Sequence, residues 1–332
     1  MGWGRFQQSL CCGKGPTLPS PETGAGEGQV AETDMNKSKL SGVIAAVATA
    51  SDGAGEPDSA RSVALARFLL DHGCDGLNVL GTTGEATSYA VAQRQAVMNA
   101  YWTAGLPLDR MMVGSGAAAI ADAISLTRHA ADLGFGGALI LPPFYYKSVP
   151  DDGLASYVAA IVKATADRPI PLYLYHFPQL SGVPWHAKLI RRLLAAHGGR
   201  IVGLKDSSGD MAYAREAAAI DPDFRVFPST EAILLEARGG AFAGCISATA
   251  NVNSDLCAQA YHSGDAAALE AAVAIRKLFD GRALVPGVKA LLAHIHDDLA
   301  WAQVMPPLAV FPAADRAAVI SGYDQVRAKR VA

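Results

Sequence analysis

The strongest constraint on the fold is a regular alternation of short apolar runs with longer amphipathic stretches, which begins near residue 41. The runs are GVIAAVATA (42–50), GLNVLG (76–81), MMVGSG (111–116), GALILP (137–142), IPLYLYHF (170–177), IVGLKD (201–206), FRVFPS (224–229) and FAGCISA (242–248). Short, nearly continuous apolar runs are typical of strands that are buried on both faces of a parallel sheet. The sequence therefore predicts eight parallel strands.

Helical patterns fill the intervals between the runs. Apolar residues recur at helical spacing in 58–72, 87–104, 118–134, 151–167, 184–197, 210–220, 230–239 and 252–262. Eight strand-helix units are the components of a (β/α)8 barrel, for which about 250 residues are usual. An open doubly wound sheet is the alternative, but no GxGxxG motif opens the first helix, and eight evenly spaced strands favour closure. We expect the α/β class, as a (β/α)8 TIM barrel over residues 39–263.

The two ends of the chain differ from the middle. After residue 263 the pattern is purely helical, with segments at 265–280, 285–298 and 314–328, which predicts a C-terminal helical extension over 264–332. Residues 1–38 are rich in Gly, Pro, Ser, Thr and charged residues and lack apolar periodicity. This composition predicts a disordered N-terminal arm.

Composition narrows the classes of partner. Lys plus Arg number 28 against 31 Asp plus Glu, and no basic run could neutralise a phosphate backbone, so we expect no nucleic acid partner. No uninterrupted apolar stretch reaches the roughly 18 residues of a membrane helix, and the start lacks the layout of a signal peptide. We therefore expect a cytoplasmic protein without a membrane partner. The five Cys residues show no CxxC spacing and the His residues are scattered, so we expect neither a disulfide framework nor a metal site.

The active site of such a barrel lies at the carboxyl ends of its strands. Candidate residues there are Thr82, Thr83, Tyr145, Tyr146, Tyr175, Lys205, Glu231 and Ser247. Lys205 is the most informative, because IVGLK places a lysine at the end of a strand that should be buried. Such a lysine snorkels to the rim, pairs with a carboxylate such as Asp206, or has a lowered pKa and attacks carbonyls to form a Schiff base.

Two neighbouring segments favour the Schiff-base interpretation. Tyr175 lies one strand earlier at similar depth, where a phenol can relay protons, although a packed core aromatic is the alternative. The segment GTTGE (81–85) offers two hydroxyls, flexible backbone at Gly84 and N–H groups at a helix start. These groups suit the carboxylate of a small 2-oxo acid, while a purely structural turn is the alternative.

Five motifs lie in order at the predicted strand ends. They are GTTGEATSYA (81–90), LPPFYYK (141–147), LYHFPQLSG (174–182), GLKDSSGD (203–210) and GCISATANV (244–252). Together they resemble the dihydrodipicolinate synthase and N-acetylneuraminate lyase family of class I aldolases, over about residues 40 to 310. The resemblance implies a (β/α)8 barrel with a C-terminal helical extension, no cofactor, and a homo-oligomer built as a dimer of dimers.

The resemblance also implies roles for individual residues. Lys205 would form an imine with pyruvate or another 2-oxo acid, and Tyr175 would move protons at that imine. Thr82 and Thr83 would supply the hydroxyls that link this tyrosine to the substrate carboxylate. Tyr145 would reach the active site of the neighbouring subunit.

Further roles concern the wall of the site and the second substrate. Ile246 and Ser247 would line the wall near the imine. Dihydrodipicolinate synthases carry an arginine, which binds the second substrate's carboxylate, where this chain has Leu180. Losing a bidentate cation would cost several kcal/mol for a carboxylated aldehyde. The Leu180 to Gly182 segment is more similar to the neuraminate lyases.

Neither family substrate is specifically supported. Residues 229–232 only partly match the segment that holds the sugar tail in neuraminate lyases, and His176 replaces the usual Asn. We expect a pyruvate-dependent aldolase whose aldehyde is bound by Leu180, Ser181, Thr230 and Glu231, with a 2-keto-3-deoxy sugar acid type of substrate. The alternatives are 4-hydroxy-tetrahydrodipicolinate synthase, which joins pyruvate and aspartate semialdehyde, a deoxy-keto sugar acid dehydratase, and a non-catalytic binding barrel.

Overall fold

Eight parallel strands curl into a nearly closed barrel in the computed structural model of the protein, which describes residues 40–331. The strands are β1 (Gly42–Ala46), β2 (Gly76–Val79), β3 (Met111–Gly114), β4 (Gly137–Ile140), β5 (Leu172–His176), β6 (Ile201–Asp206), β7 (Arg225–Pro228) and β8 (Gly244–Ser247). Their order is β7-β6-β5-β4-β3-β2-β1-β8. Between the two end strands, the backbone N–H of Ala243 donates to the carbonyl of Val226 at 2.9 Å. The predicted (β/α)8 fold is confirmed.

Helices separate the strands and continue beyond the last of them. They are α1 (Ser59–Asp71), α2 (Val91–Thr103), α3 (Ile120–Leu133), α4 (Asp151–Ala164), α5 (Pro178–Ser181), α6 (Ala187–His197), α7 (Met211–Ala218), α8 (Leu234–Arg238), α9 (Ala250–Ala258), α10 (Ala266–Lys277), α11 (Leu284–Ile295) and α12 (Ala313–Val331). No helix of residues 40–331 is long and apolar enough to cross a membrane. The predicted arm over 1–38 lies outside the described residues, and the division between 263 and 264 stays a prediction.

Two differences from the predicted elements have physical reasons. The first apolar run extends to residue 50, but β1 ends at Ala46. The run continues because residues 47–50 are buried, although they are not part of a strand. The Ala48 N–H, for example, donates to the side chain of Asn251 at 3.0 Å. Helix α5 was not predicted, because its four residues are too few to show a helical period.

The barrel interior is filled with side chains and is not an open pore. Successive strand residues point to opposite faces, and one set forms an inner cluster that includes Ile44, Met112, Leu139, Tyr173, Tyr175, Phe227 and Ile246. The ring of Tyr173 needs two glycines beside it. A Cβ would lie 2.5 Å from this ring at Gly137 and 2.8 Å from it at Gly203. The glycines on β4 and β6 thus let one large aromatic fill the barrel beneath its carboxyl end.

A buried ion pair attaches the C-terminal helices to the carboxyl end of the barrel. Glu85, in the turn after β2, accepts a hydrogen bond from Lys289 Nζ on α11 at 2.5 Å, and both side chains are fully buried. Its other oxygen accepts from the Met305 N–H at 2.6 Å. Burial lowers the pKa of Lys289, while the neighbouring Glu85 opposes that shift. The turn that carries Thr82 and Thr83 is therefore held from behind by α11.

Removing the cation of this pair should destabilise the whole barrel. Lys289→Met leaves the Glu85 carboxylate buried without a countercharge, and we expect the free energy of unfolding to fall by about 3–5 kcal/mol. Urea denaturation followed by circular dichroism measures the change. The matched control is Arg192→Met, which removes an exposed pair with Asp152 and should cost no more than about 1 kcal/mol. Equal losses in the two variants would contradict the prediction.

Candidate active site

Lys205 lies inside the barrel near the end of β6, with only 2% of its surface exposed. It is in register with Tyr175 on β5, and its Nζ lies 4.5 Å from the centre of that ring. Its hydrogen-bond acceptor is the Oδ1 of Asn78 on β2, at 3.2 Å. Asp206 is the next residue of the strand, so its side chain points to the opposite face, where it accepts from the Ser208 N–H at 2.9 Å. The polar partner of the amine is therefore a neutral amide.

The tyrosine ring beneath this amine carries a hydroxyl that contacts a second hydroxyl at the surface. The hydroxyls of Tyr175 and Thr82 lie 3.1 Å apart, and Thr82 is exposed. Thr83 and Gly84 are buried in the same turn. A Cβ at Gly84 would lie 3.0 Å from the hydroxyl oxygen of Thr49, so the close approach of this turn to the segment after β1 requires glycine. The structure thus places Lys205, Tyr175 and Thr82 in one connected series.

A cavity of about 270 Å³ opens beside this series, at the carboxyl ends of β2 to β5. Its polar side chains include Thr82, Tyr175 and Ser181. Apolar side chains form most of the remaining wall, among them Leu139, Leu141, Phe144, Phe177 and Leu180. Leu180 and Ser181, both predicted from the sequence as substrate-binding residues, therefore lie at the same cavity as Tyr175 and Thr82.

Two polar residues of the site were missed by sequence reasoning. Arg94 on α2 is buried at the cavity wall, where it donates to the carbonyls of Gly114 at 2.6 Å and Gly116 at 3.1 Å. Burial lowers its pKa to about 10, which leaves it protonated at neutral pH and bound to backbone. Asn78 is the other residue. The sequence feature that could have identified Asn78 is its position as a single amide within the otherwise apolar run GLNVLG.

The loop after β4 carries two exposed tyrosines. Tyr145 and Tyr146 are 75% and 72% exposed, and their rings form an edge-to-face pair with centres 5.3 Å apart. Lys147 ties this loop to α5, because its Nζ donates to the carbonyls of Ser181, at 2.7 Å, and Phe144. The contact of Tyr145 with a neighbouring subunit stays a prediction.

Glu231 and Ser247 belong to a buried network beside α10. Glu231 is fully buried and accepts hydrogen bonds from the hydroxyls of Ser247, at 2.7 Å, and Thr249. Its second oxygen lies 3.3 Å from Nη1 of Arg276, on α10. Ile246 belongs to the inner cluster of the barrel. Because the oxygens of Glu231 are engaged within the protein, its role toward an aldehyde stays a prediction, as do those of Ser247 and Ile246 near an imine.

His176 follows Tyr175 on β5 and points out of the barrel. Its Nδ1 accepts from the Trp185 N–H at 3.1 Å, and its ring stacks on Tyr213 with centres 4.1 Å apart. Burial lowers the pKa of His176 to about 4, and the nearby Asp210 opposes the shift. The histidine that replaces the usual Asn is therefore a neutral packing residue on the outer side of β5.

Fold and site together define a class of protein. A lysine buried at the end of a barrel strand, beside a tyrosine whose hydroxyl contacts a threonine, is compatible with a (β/α)8 enzyme that forms Schiff bases. The model of the Dihydrodipicolinate synthetase family matches residues 39–296, and the chain belongs to this family. Its members are lyases of that kind.

Individual relatives agree with this assignment. A DapA-like lyase of Chloroflexus aurantiacus is 35% identical over 268 residues, which cover 79% of this chain and 88% of that protein. A 4-hydroxy-tetrahydrodipicolinate synthase of Acaryochloris marina is 29% identical over 64% of this chain and 71% of its own length. The crystal structure of dihydrodipicolinate synthase from Agrobacterium tumefaciens superimposes with a TM-score of 0.81 at 28% identity, over 86% of this chain and 99% of that one.

The pKa of His176 predicts part of the acid sensitivity of the fold. In the folded protein this ring takes up a proton near pH 4, whereas in the unfolded chain it does so near 6.5. Its contribution to stability is therefore fully present above about pH 6.5 and is lost as the pH falls toward 4, by up to about 3 kcal/mol. His176→Asn keeps an acceptor for Trp185 and should remove this part. Urea titrations from pH 4 to 7 measure the difference, and parallel curves for both proteins would contradict the prediction.

Proposed function

We propose that the protein is a class I aldolase that uses Lys205 to bind pyruvate or another 2-oxo acid as an imine. The enamine formed from that imine then joins an aldehyde, or is released when a carbon-carbon bond is cleaved. The observation that carries the proposal is the buried Lys205 amine, in register with Tyr175 and connected through it to Thr82. A lysine in this position has no packing role that would explain an amine held inside a barrel with an uncharged amide as its hydrogen-bond partner.

The neighbouring groups match the steps of such a reaction. The Lys205 nitrogen attacks the C2 carbonyl, and the C2 oxygen leaves as water when the imine forms. Removing a proton from C3 gives the enamine, which attacks the aldehyde carbonyl. Tyr175 is placed to exchange protons with these intermediates, because its ring lies over the amine and its hydroxyl is hydrogen-bonded to Thr82.

The cavity bears on the identity of the aldehyde. Leu180, which is 61% exposed and lies at the cavity wall, supplies no charge for a second carboxylate. Lys147 lies beside it, but its amino group is hydrogen-bonded to two carbonyls. These observations favour an aldehyde without a carboxylate next to Leu180 over aspartate semialdehyde. Thr82 and Thr87 at the wall are exposed and offer hydroxyls for a 2-keto-3-deoxy sugar acid, the substrate type that we propose first. The Ser181 hydroxyl is instead bonded to the backbone of Val183.

The apolar side chains that line the cavity favour a second candidate for the aldehyde substrate. Leu141, Phe144 and Phe177 offer no partners to a hydroxylated chain, and burying sugar hydroxyls against them would leave those hydroxyls unpaired. An apolar or aromatic aldehyde would instead gain from the contact. A dehydratase of the same family would use the same imine without cleaving carbon-carbon bonds, and a binding barrel would form no imine.

Trapping of the imine tests the proposal directly. Incubation with pyruvate and borohydride should add one reduced pyruvate unit to Lys205, because borohydride converts the imine to a stable secondary amine. Mass spectrometry of the digested protein locates the adduct. Lys205→Arg should abolish labelling, whereas Lys147→Ala, which removes an exposed lysine near the cavity, should leave it intact. An unmodified Lys205, or equal labelling of Lys205→Arg, would refute the imine.

A cleavage screen with pyruvate detection separates the substrate candidates. We expect release of pyruvate from 2-keto-3-deoxy sugar acids, and release only from adducts of apolar aldehydes would favour the second candidate. A product other than pyruvate would indicate the dehydratase. Leu180→Arg should raise kcat/KM for aspartate semialdehyde on the order of 10- to 100-fold, since it adds a bidentate carboxylate partner. Leu180→Met, the apolar control, should not, and an equal gain in both variants would contradict this role of residue 180.

The assembly remains a prediction of the resemblance, and the location remains a prediction from the sequence. A dimer of dimers would bring Tyr145 of one subunit to the cavity of the next. The exposed Tyr145 and Tyr146 pair is compatible with that contact. The cytoplasm is the expected compartment.

A further inference from the structure

The amide of Asn78 is the polar group in direct contact with the Lys205 amine. Its Oδ1 accepts from Nζ at 3.2 Å, and the residue is fully buried on β2, across the barrel interior from β6. Its Nδ2 is buried without a hydrogen-bond partner among the described residues. Buried amide donors are almost always paired, so this donor beside a reactive amine points to a ligand atom at the same place.

The surrounding backbone holds the amide close to the amine. A Cβ at Gly81 would lie 2.8 Å from Asn78 Oδ1, so the glycine that begins GTTGE is what lets the chain pass over the amide. Asn78 is followed in the chain by the turn that carries Thr82, whose hydroxyl contacts Tyr175. One short segment therefore provides both the acceptor for the lysine and the hydroxyl that contacts Tyr175.

The Asn78 amide carries no charge, and this property determines how it can affect the Lys205 amine. Titratable groups on the strands around Lys205 and in the turns that follow them are Tyr173, Tyr175 and the outward-facing His176 on β5, Asp206 on β6, Arg225 on β7, Cys245 on β8, Glu85 after β2 and Glu231 after β7. The three carboxylates are engaged elsewhere, with the Ser208 N–H, Lys289 and Arg276 respectively. A carboxylate at residue 78 would stabilise the ammonium form strongly through its charge, whereas an amide oxygen orients the amine and stabilises that form much less.

We propose that Asn78 is a positioning residue for the Schiff-base lysine, a neutral acceptor that directs the Lys205 amine toward the cavity without holding its proton. This inference rests on the proposed function. It predicts that the charge of residue 78, and not only its size, sets the pH at which the amine becomes reactive.

Asn78→Asp and Asn78→Leu separate charge from packing. In Asn78→Asp the pH midpoint for imine trapping with pyruvate should rise by about 1–3 units, and the trapping rate should recover at high pH. In Asn78→Leu the rate should fall roughly tenfold or more at every pH without an upward shift, because the amine is no longer oriented. The control is Asn253→Asp, the same exchange at a buried asparagine of α9 that bonds the Ala272 carbonyl. Its midpoint should equal that of the unaltered protein.

A second measurement works without catalysis. Acylation of Lys205 by a small anhydride at a series of pH values, quantified by mass spectrometry of the full-length folded protein, reports the pKa of the amine directly. An upward shift in Asn78→Asp supports the inference, even if the unaltered protein traps no 2-oxo acid and the proposed function fails. An unchanged midpoint in Asn78→Asp overturns the inference. Equal losses at every pH in Asn78→Asp and Asn78→Leu overturn it as well, since they would indicate packing alone.

Discussion

A primary amine enclosed within a barrel is the constraint on which the rest of the site depends. Lys205 is buried, and its immediate neighbours are an amide and a tyrosine ring, so the free energy of its desolvation is not offset by a countercharge at contact distance. Such an arrangement persists only where the surrounding structure enforces it. Strands β5 and β6 do so by setting Tyr175 directly beside Lys205, and glycines on β4 and β6 make room for the aromatic layer beneath.

The carboxyl end of the barrel is stabilised by charges that lie away from the amine. Glu85 pairs with Lys289 and Glu231 with Arg276, which joins two turns of the barrel to α11 and α10. Glu85 closes the same GTTGE turn that presents Thr82. The C-terminal helices therefore help to fix the position of Thr82, which contacts Tyr175. Both carboxylates are paired with these cations, and among residues 40–331 no carboxylate forms an ion pair with Lys205.

Strand geometry brings some of the predicted site residues together, whereas contacts made by long side chains were not foreseen from the sequence. Lys205, Tyr175 and Thr82 come together because equivalent positions at the ends of neighbouring parallel strands face the same space. Asn78 was overlooked, since one polar residue in an apolar run does not reveal which face of the strand it occupies. Glu231 was expected at the aldehyde because it follows β7. Its partner Arg276 lies 45 residues further along the chain, and no local sequence pattern predicts such a contact.

The sequence by itself determined the eight strand-helix units, the family, and the lysine and tyrosine at the strand ends, because burial periodicity and motif order are local properties of the chain. The tertiary structure decided which neighbours these residues have. It turned His176 to the outer side of β5, engaged Glu231 with α10, and set an uncharged amide against the Lys205 amine. Those outcomes depend on contacts between residues far apart in the sequence, and it is these contacts that set the protonation and orientation of the groups at the site.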